Sequence, residues 1–435
     1  MTSVFFNVSV FIVPLVVLWF FYGMVQRSTN RKALKKMLDA KASGLTEPAS
    51  LHPAIDPSIC LGCGTCVTAC PEGEILGLIN RKAVLVSPSS CIGHGACQEA
   101  CPTGAITLVF GTETRGIEIP MLSPQFETTV PGIFIAGELG GMGLIKNAII
   151  QGTQAVNAIK KRTKKTPGGY LDLLIVGAGP AGISAALAAK QSGLNFIVVE
   201  QDTVGGTVAH YPRGKIVMTQ PAVLPLVGKF QFREASKETL MEFWESAANK
   251  IKEKLKTEHR VESVEAIEDG FQVTTNKQSF RTGSVLLAMG RRGTPRKLEV
   301  PGEDLPKVIY RLIDPEQYAN RRVLVVGGGD SALEAALAIA EQPGTVTTLS
   351  YRSPAFTRAK PKNRERVTAL GELGKLQVLL NSNVQSIAES QVLIKTEDGV
   401  SELPNDDVLV CAGGVLATPF LKKAGINVEE KFGAA

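Results

Sequence analysis

Hydrophobic and polar positions divide the chain into segments of different character. Residues Val4–Val25 form one uncharged apolar run, and a basic segment with the spacing of an amphipathic helix follows it. Farther on, a short apolar run leads into a Gly-rich turn and an Ala-rich stretch twice, at Leu171–Val176 and at Val323–Val326. Strands that alternate with helices in this way are typical of parallel sheets. The pattern therefore predicts an α/β protein with two Rossmann-like domains and one apolar N-terminal helix.

Length and charge narrow this interpretation. The chain has 435 residues, of which 44% are hydrophobic and 43 are glycine, as in a globular protein of about three domains. Residues 26–41 hold six basic side chains and one acidic one, so they carry most of the net charge of +6. Because the remainder is nearly neutral, no nucleic-acid partner is predicted.

The apolar run predicts a membrane anchor. At about 1.5 Å per residue, Val4–Val25 extends roughly 33 Å, which is enough to cross a bilayer. A cleaved signal peptide is the weaker alternative, because the basic residues follow the run and no small-residue cleavage site is present. The positive-inside rule predicts a single-pass protein of the cell inner membrane with its domains on the cytoplasmic side. This anchor predicts contact with the lipid bilayer and a membrane redox partner: a cytochrome, a quinone-reactive subunit or a respiratory complex.

Seven of the eight cysteines lie between residues 60 and 101. They form two runs that superimpose with a shift of 31 residues, and the one mismatched ligand position aligns Cys63 with His94. Three closely spaced thiolates bind three irons of a cubane, and in two-cluster arrangements the fourth cysteine of each run binds the other cluster. This rule assigns the first cluster to Cys60, Cys63, Cys66 and Cys101, and the second to Cys70, Cys91, Cys97 and, as an open question, His94.

These runs resemble a bacterial-type two-cluster ferredoxin, which implies two 4Fe-4S clusters. Zinc sites and disulfides are the alternatives. The Cys-Pro that ends each run and the internal repeat favour iron and sulfur. His94 has two interpretations: it is an imidazole ligand that raises the potential of its cluster, or it lies beside a 3Fe-4S cluster without binding it.

A complete dinucleotide fingerprint follows Leu171–Val176. Its Gly-rich turn opens a helix, and the next strand, Asn195–Val199, ends at an acidic residue. The glycines let the backbone approach a pyrophosphate at the positive end of the helix, and the acid holds a ribose hydroxyl. The predicted binding residues are Gly177, Gly179, Pro180, Gly182 and Glu200.

Other stretches resemble thioredoxin-reductase-like flavoproteins. Residues 126–138, which end in Ile-Phe-Ile-Ala-Gly-Glu, look like the segment that closes the FAD site in that family, with Glu138 in place of an Asp. In the family this segment ends the chain, whereas here it precedes the first fingerprint, so we predict a circularly permuted flavoprotein joined by the basic linker at 160–169. The resemblance implies FAD and adds to its site Gly137, Glu138, Gly206, Thr207 and Gly290.

The second fingerprint begins at Val323–Val326. Its next strand, Val346–Leu349, leads to arginines rather than to an acid, and arginines suit a 2′-phosphate. NADP(H) is therefore predicted, with NADH as the alternative. The predicted residues are Gly327, Gly329, Asp330, Ser331, Arg352 and Arg358.

Thioredoxin reductases carry a Cys-x-x-Cys pair before this fingerprint, but the matching stretch here, Val308–Tyr318, contains no cysteine. The sequence around His210 resembles bacillithiol-disulfide-reductase-like proteins, which carry a cysteine where this chain has Ala181. The clusters are therefore the predicted outlet for electrons. The predicted function is an NAD(P)H oxidoreductase that passes electrons between NADPH, FAD and two clusters, to or from the membrane partner. No general acid or base is predicted.

Two other functions remain as alternatives. One is a wiring or structural subunit of a respiratory complex with a vestigial NADPH site, and the other is a redox sensor that signals by cluster loss. The predicted fold class is α/β, with two Rossmann-like dinucleotide-binding domains, a small α+β ferredoxin domain and one transmembrane helix. The predicted segments are the anchor (1–27), a basic linker (28–50), the ferredoxin domain (51–112), the permuted FAD segment (113–165), the FAD domain (166–298), the NAD(P) domain (299–402) and a return to the FAD domain (403–435).

Overall fold

A computed structural model describes residues 2–48, 51–113, 115–141, 143–162, 168–291, 295–357 and 359–433, with side chains from residue 13 onward apart from residue 218. The chain divides into two compact units. The first contains the residues up to Gly116 and those from Phe432 onward, and the second contains Ile117–Lys431.

The first unit surrounds the two cysteine runs. Its helices are α1 (Thr2–Ala42), α2 (Thr65–Ala69) and α3 (Ala96–Glu99), and its strands are β1 (His52–Ile55), β2 (Leu76–Ile79), β3 (Lys82–Leu85) and β4 (Ile106–Val109). Strand β1 pairs antiparallel with β4, and β2 forms an antiparallel hairpin with β3.

Helix α1 packs on the β2–β3 hairpin through its C-terminal half. Ala33 is buried there, and the Lys36 ammonium lies 2.5 Å from the Glu74 carboxylate. The Asn30 side chain accepts a hydrogen bond of 2.9 Å from a backbone amide of the hairpin turn. The segment predicted as a linker at 28–50 is therefore helical to the end of α1 and belongs to this unit.

The prediction of a membrane anchor at Val4–Val25 was wrong. Within the part of the chain that the structure describes, no helix is both long enough and apolar enough to cross a membrane. The predicted inner-membrane location is therefore withdrawn, while the predicted contacts with a lipid bilayer and with a membrane redox partner stay predictions.

The second unit begins with the elements around the first fingerprint. The strands are β5 (Ile117–Pro120), β6 (Ile133–Ile135), β7 (Leu173–Val176), β8 (Phe196–Val199), β9 (Ile216–Met218), β10 (Ala222–Leu224), β11 (Gly228–Phe230), β12 (Glu234–Ser236), β13 (Leu255–Lys256), β14 (Val261–Ile267), β15 (Gly270–Thr275), β16 (Ser279–Thr282) and β17 (Val285–Leu287). The helices are α4 (Ile145–Arg162), α5 (Pro180–Gln191) and α6 (Lys237–Asn249).

A parallel five-stranded sheet in the order β13-β8-β7-β17-β6 forms the centre of this part. Every residue of β7 and β17 is buried, as expected for central strands covered on both faces. Strand β6, which precedes the fingerprint in sequence, pairs with β17 at one edge of the sheet. The antiparallel sheet β14–β15–β16 and two short ribbons, β9–β12 and β10–β11, complete this part.

The second fingerprint has its own parallel sheet, in the order β18-β25-β19-β20-β21. The elements here are β18 (Val308–Ile309), β19 (Arg322–Val326), α7 (Asp330–Ala340), β20 (Val346–Ser350), α8 (Pro361–Glu372), β21 (Leu376–Leu379), β22 (Asn383–Ile387), β23 (Gln391–Thr396), β24 (Gly399–Pro404) and β25 (Asp407–Val410). The mixed α/β fold with parallel sheets confirms the predicted α/β class.

The last two elements return to the first part of this unit. They are α9 (Thr418–Lys423) and β26 (Val428–Lys431). Strand β26 pairs antiparallel with β5, with Lys431 opposite Ile117 and Val428 opposite Pro120. The end of the second unit thus lies beside its beginning.

Candidate functional site

The two cysteine loops share one backbone geometry. Gly62 and Gly93 both have left-handed φ angles, of 69° and 79°. A Cβ on Gly93 would lie 2.7 Å from the Leu51 carbonyl oxygen, and one on Gly62 would overlap the Arg81 carbonyl oxygen. These positions therefore require glycine, and the repeat seen in the sequence is also a repeat in structure.

All seven thiols are free, and most are withdrawn from solvent. The buried ones are Cys60, Cys66, Cys91 and Cys97, with Cys70 and Cys101 partly buried and Cys63 exposed. Burial is also what makes unbound thiolates unfavourable here, because a charged group loses its hydration. Iron would replace the proton on each sulfur.

One cavity brings together thiols from both cysteine runs. Its lining includes Cys70, from the end of the first run, and Cys91, His94 and Cys97 from the second. Burial raises the pKa of Cys91 to about 11, and the charges of Cys97 and Cys70 act in the same direction. These four residues are the ones that the ferredoxin rule groups around the second cluster.

The remaining thiols act on one another in a second group. Burial raises the pKa of Cys66, and Cys60 and Cys63 contribute to the increase. Hydrogen bonds from Thr65 lower the pKa of Cys63, against a smaller opposing effect of Cys101. Cys101 also acts on Cys97, so the lining of the cavity, and not these effects, groups Cys70, Cys91 and Cys97 with His94.

The donor set fits two iron–sulfur clusters. Each group combines thiols from both runs within short loops, as the two-cluster arrangement requires. Within the described ranges, no three His, Cys, Asp or Glu side chains could hold a single metal ion. A cubane does not need such convergence, since each ligand binds a different iron.

His94 has an acidic neighbour that sequence reasoning missed. The His94 Nε2 atom lies 3.6 Å from the Glu72 carboxylate, and the two side chains are 16% and 35% exposed. Glu72 lines the same cavity. Glu72 comes only two residues after Cys70, and this closeness to a predicted ligand was apparent from the sequence.

The first Gly-rich turn connects β7 to α5. Gly177 has a φ of 107°, and a Cβ there would lie 2.5 Å from the Ala288 carbonyl oxygen. A Cβ on Gly182 would overlap the Gly177 carbonyl oxygen, and Pro180 occupies the first turn of α5. Close packing of strand, turn and helix is what a dinucleotide fingerprint requires, so the turn fits a dinucleotide pyrophosphate.

Glu200 lies at the end of β8, as predicted. It is buried, and its carboxylate accepts hydrogen bonds from the Ala178 amide at 2.7 Å and the Asp202 amide at 2.9 Å. Burial raises its pKa, and the two amide hydrogen bonds oppose that increase. The carboxylate is therefore fixed against the Gly-rich turn.

The segment that precedes the fingerprint reaches the same turn. A Cβ on Gly137 (φ 84°) would lie 3.1 Å from the Ala181 Cβ atom, and its amide donates to the Gln151 side chain at 2.8 Å. Sequence reasoning missed Gln151, although a single polar residue on the buried stripe of α4 was a usable signal. Gly206 likewise approaches the turn, since its Cβ would meet the Gly179 Cα atom at 2.9 Å.

Arg291 is a third residue that sequence reasoning missed. Burial lowers the pKa of its guanidinium, while the nearby Glu138 and Glu118 carboxylates raise it. Its side chain donates a hydrogen bond of 3.1 Å to the Glu118 carbonyl oxygen. The predicted residue Thr207 lies in a short 3-10 helix, Gly206–His210, after β8, and Gly290 lies in the loop after β17.

The second Gly-rich turn repeats the first. Gly327 has a φ of 148°, and a Cβ there would meet the Cys411 carbonyl carbon at 2.9 Å. No described atom lies within 4 Å of a Cβ placed on Gly329, so this glycine faces open space. Tyr351 covers Gly328, where a Cβ would overlap its ring. This turn also fits a dinucleotide, with the aromatic ring at one side.

Asp330 lies at the start of α7, directly after the second Gly-rich turn. Its carboxylate accepts hydrogen bonds from the Lys360 amide at 2.7 Å and the Asn363 side chain at 2.8 Å, so it holds the start of α8. The predicted Ser331 and Arg352 are exposed near the turn. Arg358 lies outside the described residues.

Ion pairs connect the two dinucleotide parts of the second unit. The Lys215 ammonium lies 2.5 Å from the Glu334 carboxylate on α7. The Arg311 guanidinium lies 3.1 Å from the carboxylate of Asp202, which comes two residues after Glu200. These ion pairs join residues of the two parts that lie far apart in the sequence, so the sequence did not predict them.

Two family models match the chain. The pyridine nucleotide-disulphide oxidoreductase model matches residues 174–434, and the 4Fe-4S dicluster domain model matches residues 52–102. The first covers more than half of the chain and includes both Gly-rich turns. The second contains both cysteine runs.

Individual proteins and one solved structure agree with these matches. A ferredoxin–NADP reductase of Ignicoccus hospitalis is 32% identical over 60% of this chain and 83% of that protein. The bacilliredoxin reductase Bdr of Bacillus subtilis is 27% identical over 60% of this chain and 82% of that protein. The structure of bacillithiol disulfide reductase Bdr from Staphylococcus aureus has a TM-score of 0.53 at 25% identity, covering 60% of this chain and 81% of that one.

Proposed function

The chain belongs to the pyridine nucleotide-disulphide oxidoreductase family, and on that premise we propose that it exchanges electrons between NADPH and a one-electron partner, with FAD and two iron–sulfur clusters as carriers. One observation carries this proposal: two nucleotide-type turns and two separate groups of cluster-type ligands belong to one polypeptide. Its relatives are flavin-dependent NAD(P)H oxidoreductases, and this chain adds a 4Fe-4S domain to that enzyme.

The first turn is the proposed FAD site. Gly177 and Gly182 allow the close packing of β7 and α5, and Glu200 holds a ribose hydroxyl beside them. Gly137 and Gly206 approach the same turn from two other segments. When bound, FAD accepts a hydride from NADPH and passes on single electrons.

The second turn is the proposed NADPH site. Gly327 and Gly329 form its cradle, and the exposed guanidinium of Arg352 suits the 2′-phosphate, because a fork of N–H donors matches phosphate oxygens. The relative from Ignicoccus hospitalis is named a ferredoxin–NADP reductase, which favours NADP(H) over NADH and favours a ferredoxin-type module as its electron partner.

The thiols are proposed to hold two clusters, with the last cysteine of each run bound to the cluster of the other run. Cys101 completes the first group, and Cys70 completes the second. The cavity that joins Cys70 to Cys91 and Cys97 supports this assignment.

The flavoprotein is proposed to be circularly permuted. Strand β6 pairs with β17 although it precedes the fingerprint, and β26, which follows both fingerprints, pairs antiparallel with β5, the first strand of the unit. In an unpermuted chain, a tight hairpin would connect Lys431 to Ile117. The ferredoxin-type region here precedes β5 instead.

The proposed function is tested by separating flavin reduction from onward transfer. Rapid mixing with NADPH should bleach the flavin in the wild type and equally in a Cys60→Ser/Cys91→Ser variant. Steady-state reduction of a one-electron protein acceptor by NADPH should be lost in the variant alone. Equal acceptor reduction by both proteins would contradict a role for the clusters.

One observation favours a second candidate, a wiring subunit with a vestigial nicotinamide site. The Tyr351 ring lies directly against Gly328 of the second Gly-rich turn and narrows the space beside it. In that case the wild-type flavin would not bleach with NADPH but would bleach with dithionite.

A further inference from the structure

The two halves of the cysteine region differ at three positions that belong together. Cys63 aligns with His94, Thr65 aligns with Ala96, and Thr103 aligns with Glu72, two residues after the last cysteine of each run. The backbone turns match, since Gly104 and Gly73 have φ angles of 67° and 59°. The two halves therefore share a backbone geometry and differ in the chemistry of these three side chains.

In the first half, hydroxyl groups accompany the sulfurs. The Thr65 hydroxyl lies 3.2 Å from the Cys63 sulfur, and the Thr103 hydroxyl lies 3.6 Å from the Cys101 sulfur. In the second half, Ala96 cannot supply a hydroxyl.

The partner of His94 is instead Glu72, with its Oε1 atom 3.6 Å from the imidazole Nε2 atom. Both residues line the cavity that contains Cys70, Cys91 and Cys97. Both the residue at the ligand position and the polar side chain next to it therefore differ between the two halves.

Charge explains why these changes would occur together. A thiolate ligand carries a negative charge and a neutral imidazole carries none, so the exchange of Cys for His makes a ligand set less negative by one. A carboxylate next to the imidazole returns a negative charge to the site. A histidine that binds a metal through one ring nitrogen commonly donates the other N–H to a carboxylate, which fixes the ring orientation.

We infer that His94 is the fourth ligand of the second cluster and that Glu72 is its positioning residue. The inference rests on the proposed function, because it requires a cluster at this group of thiols. Imidazole ligation raises the potential of the second cluster, and the Glu72 carboxylate lowers it again by its charge and by making the imidazole a better donor. The first cluster lacks both effects.

The test is an anaerobic potentiometric titration of the full chain, with electron paramagnetic resonance of each cluster and iron counted per chain. In Glu72→Gln we expect the midpoint potential of the second cluster to shift upward while the first stays in place. Glu72→Asp should restore most of the wild-type value. Glu74→Gln is the matched control, since it removes the same charge from the same loop at a residue that pairs with Lys36.

Replacing the ligand gives the second arm. His94→Cys should keep both four-iron clusters, lower the potential of the second and reduce its response to Glu72→Gln. A wild type with a three-iron second cluster, or equal shifts in Glu72→Gln and Glu74→Gln, would overturn the inference while leaving two clusters in place. A wild type without iron and acid-labile sulfide would instead overturn the proposed function.

Discussion

Substitution of Gly152 by alanine tests how α4, from the segment before the fingerprint, packs against α5. A Cβ at this position would overlap the Ala181 carbonyl oxygen, and it would lie 3.1 Å from the Ala181 carbonyl carbon and 3.2 Å from the Ala185 amide nitrogen. Because nonbonded carbon contacts prefer about 3.5–4.0 Å, the two helices must separate by roughly 1 Å. Overpacking of this kind costs about 1–3 kcal/mol. We therefore expect Gly152→Ala to lower the free energy of unfolding of the second unit.

Helix propensity alone predicts the opposite sign. Alanine is favoured over glycine inside a helix by about 0.8–1.0 kcal/mol. Gly371 in α8 is the matched control, because the nearest atom to its Cβ would be the Leu376 carbonyl oxygen at 3.7 Å, an ordinary contact. Gly371→Ala should therefore stabilise the protein by about 0.5–1 kcal/mol.

The assay is thermal unfolding followed by the release of flavin fluorescence, together with the flavin content of the purified protein. Gly152→Ala should lower the midpoint temperature by a few degrees, because the overpacking cost less the helix-propensity gain leaves a net loss of up to about 2 kcal/mol. It should also lower the flavin content, since Ala181 belongs to the first Gly-rich turn. A Gly152→Ala protein that is as stable as Gly371→Ala and holds full flavin would refute this packing.

Three further predictions concern other parts of the chain. Arg352→Ala should raise the KM for NADPH about 10–100-fold, because a charge-assisted hydrogen bond is worth about 1.5–3 kcal/mol, and an equal rise in the KM for NADH would contradict its role at the 2′-phosphate. Cys63→Ser should change the resonance spectrum of one cluster and leave that of the other, whereas identical changes in both would contradict two separate ligand groups. The Arg322 hydrogen bonds lower the pKa of Asp406 to about 2, below its ordinary value of 3.8. The stability that Asp406 contributes is therefore present at neutral pH and lost as the pH falls from about 4 towards 2, so chemical denaturation should show Asp406→Asn less stable than wild type at pH 7, with a difference that shrinks over that range.

Local pattern predicted the parts of the structure that depend on neighbouring residues in sequence. The strand, Gly-rich turn and helix at Gly177 require close packing that only glycines permit, so their spacing reveals them. The same holds for the repeat that places Gly62 and Gly93 in matching left-handed turns. Such signals lie within a few residues of each other in the sequence.

Contacts between distant segments could not be predicted in the same way. Asp330 stands in the fingerprint, yet it accepts hydrogen bonds from the start of α8, thirty residues away in sequence. Arg291 and Glu118 are brought together only by the fold. The predicted anchor at Val4–Val25 was wrong, since no helix among the described residues is both long enough and apolar enough to cross a membrane.

The central claim is that the nicotinamide pair and both clusters exchange electrons within one chain. Anaerobic electron paramagnetic resonance tests it most directly, with NADPH added to the oxidised protein and NADP⁺ added to protein reduced by stoichiometric dithionite. The account predicts that at least one of these additions changes the intensity of the signals of both reduced clusters, and that Arg352→Ala slows this change. Clusters that respond to dithionite but to neither nucleotide, while the flavin responds to both, would contradict the claim.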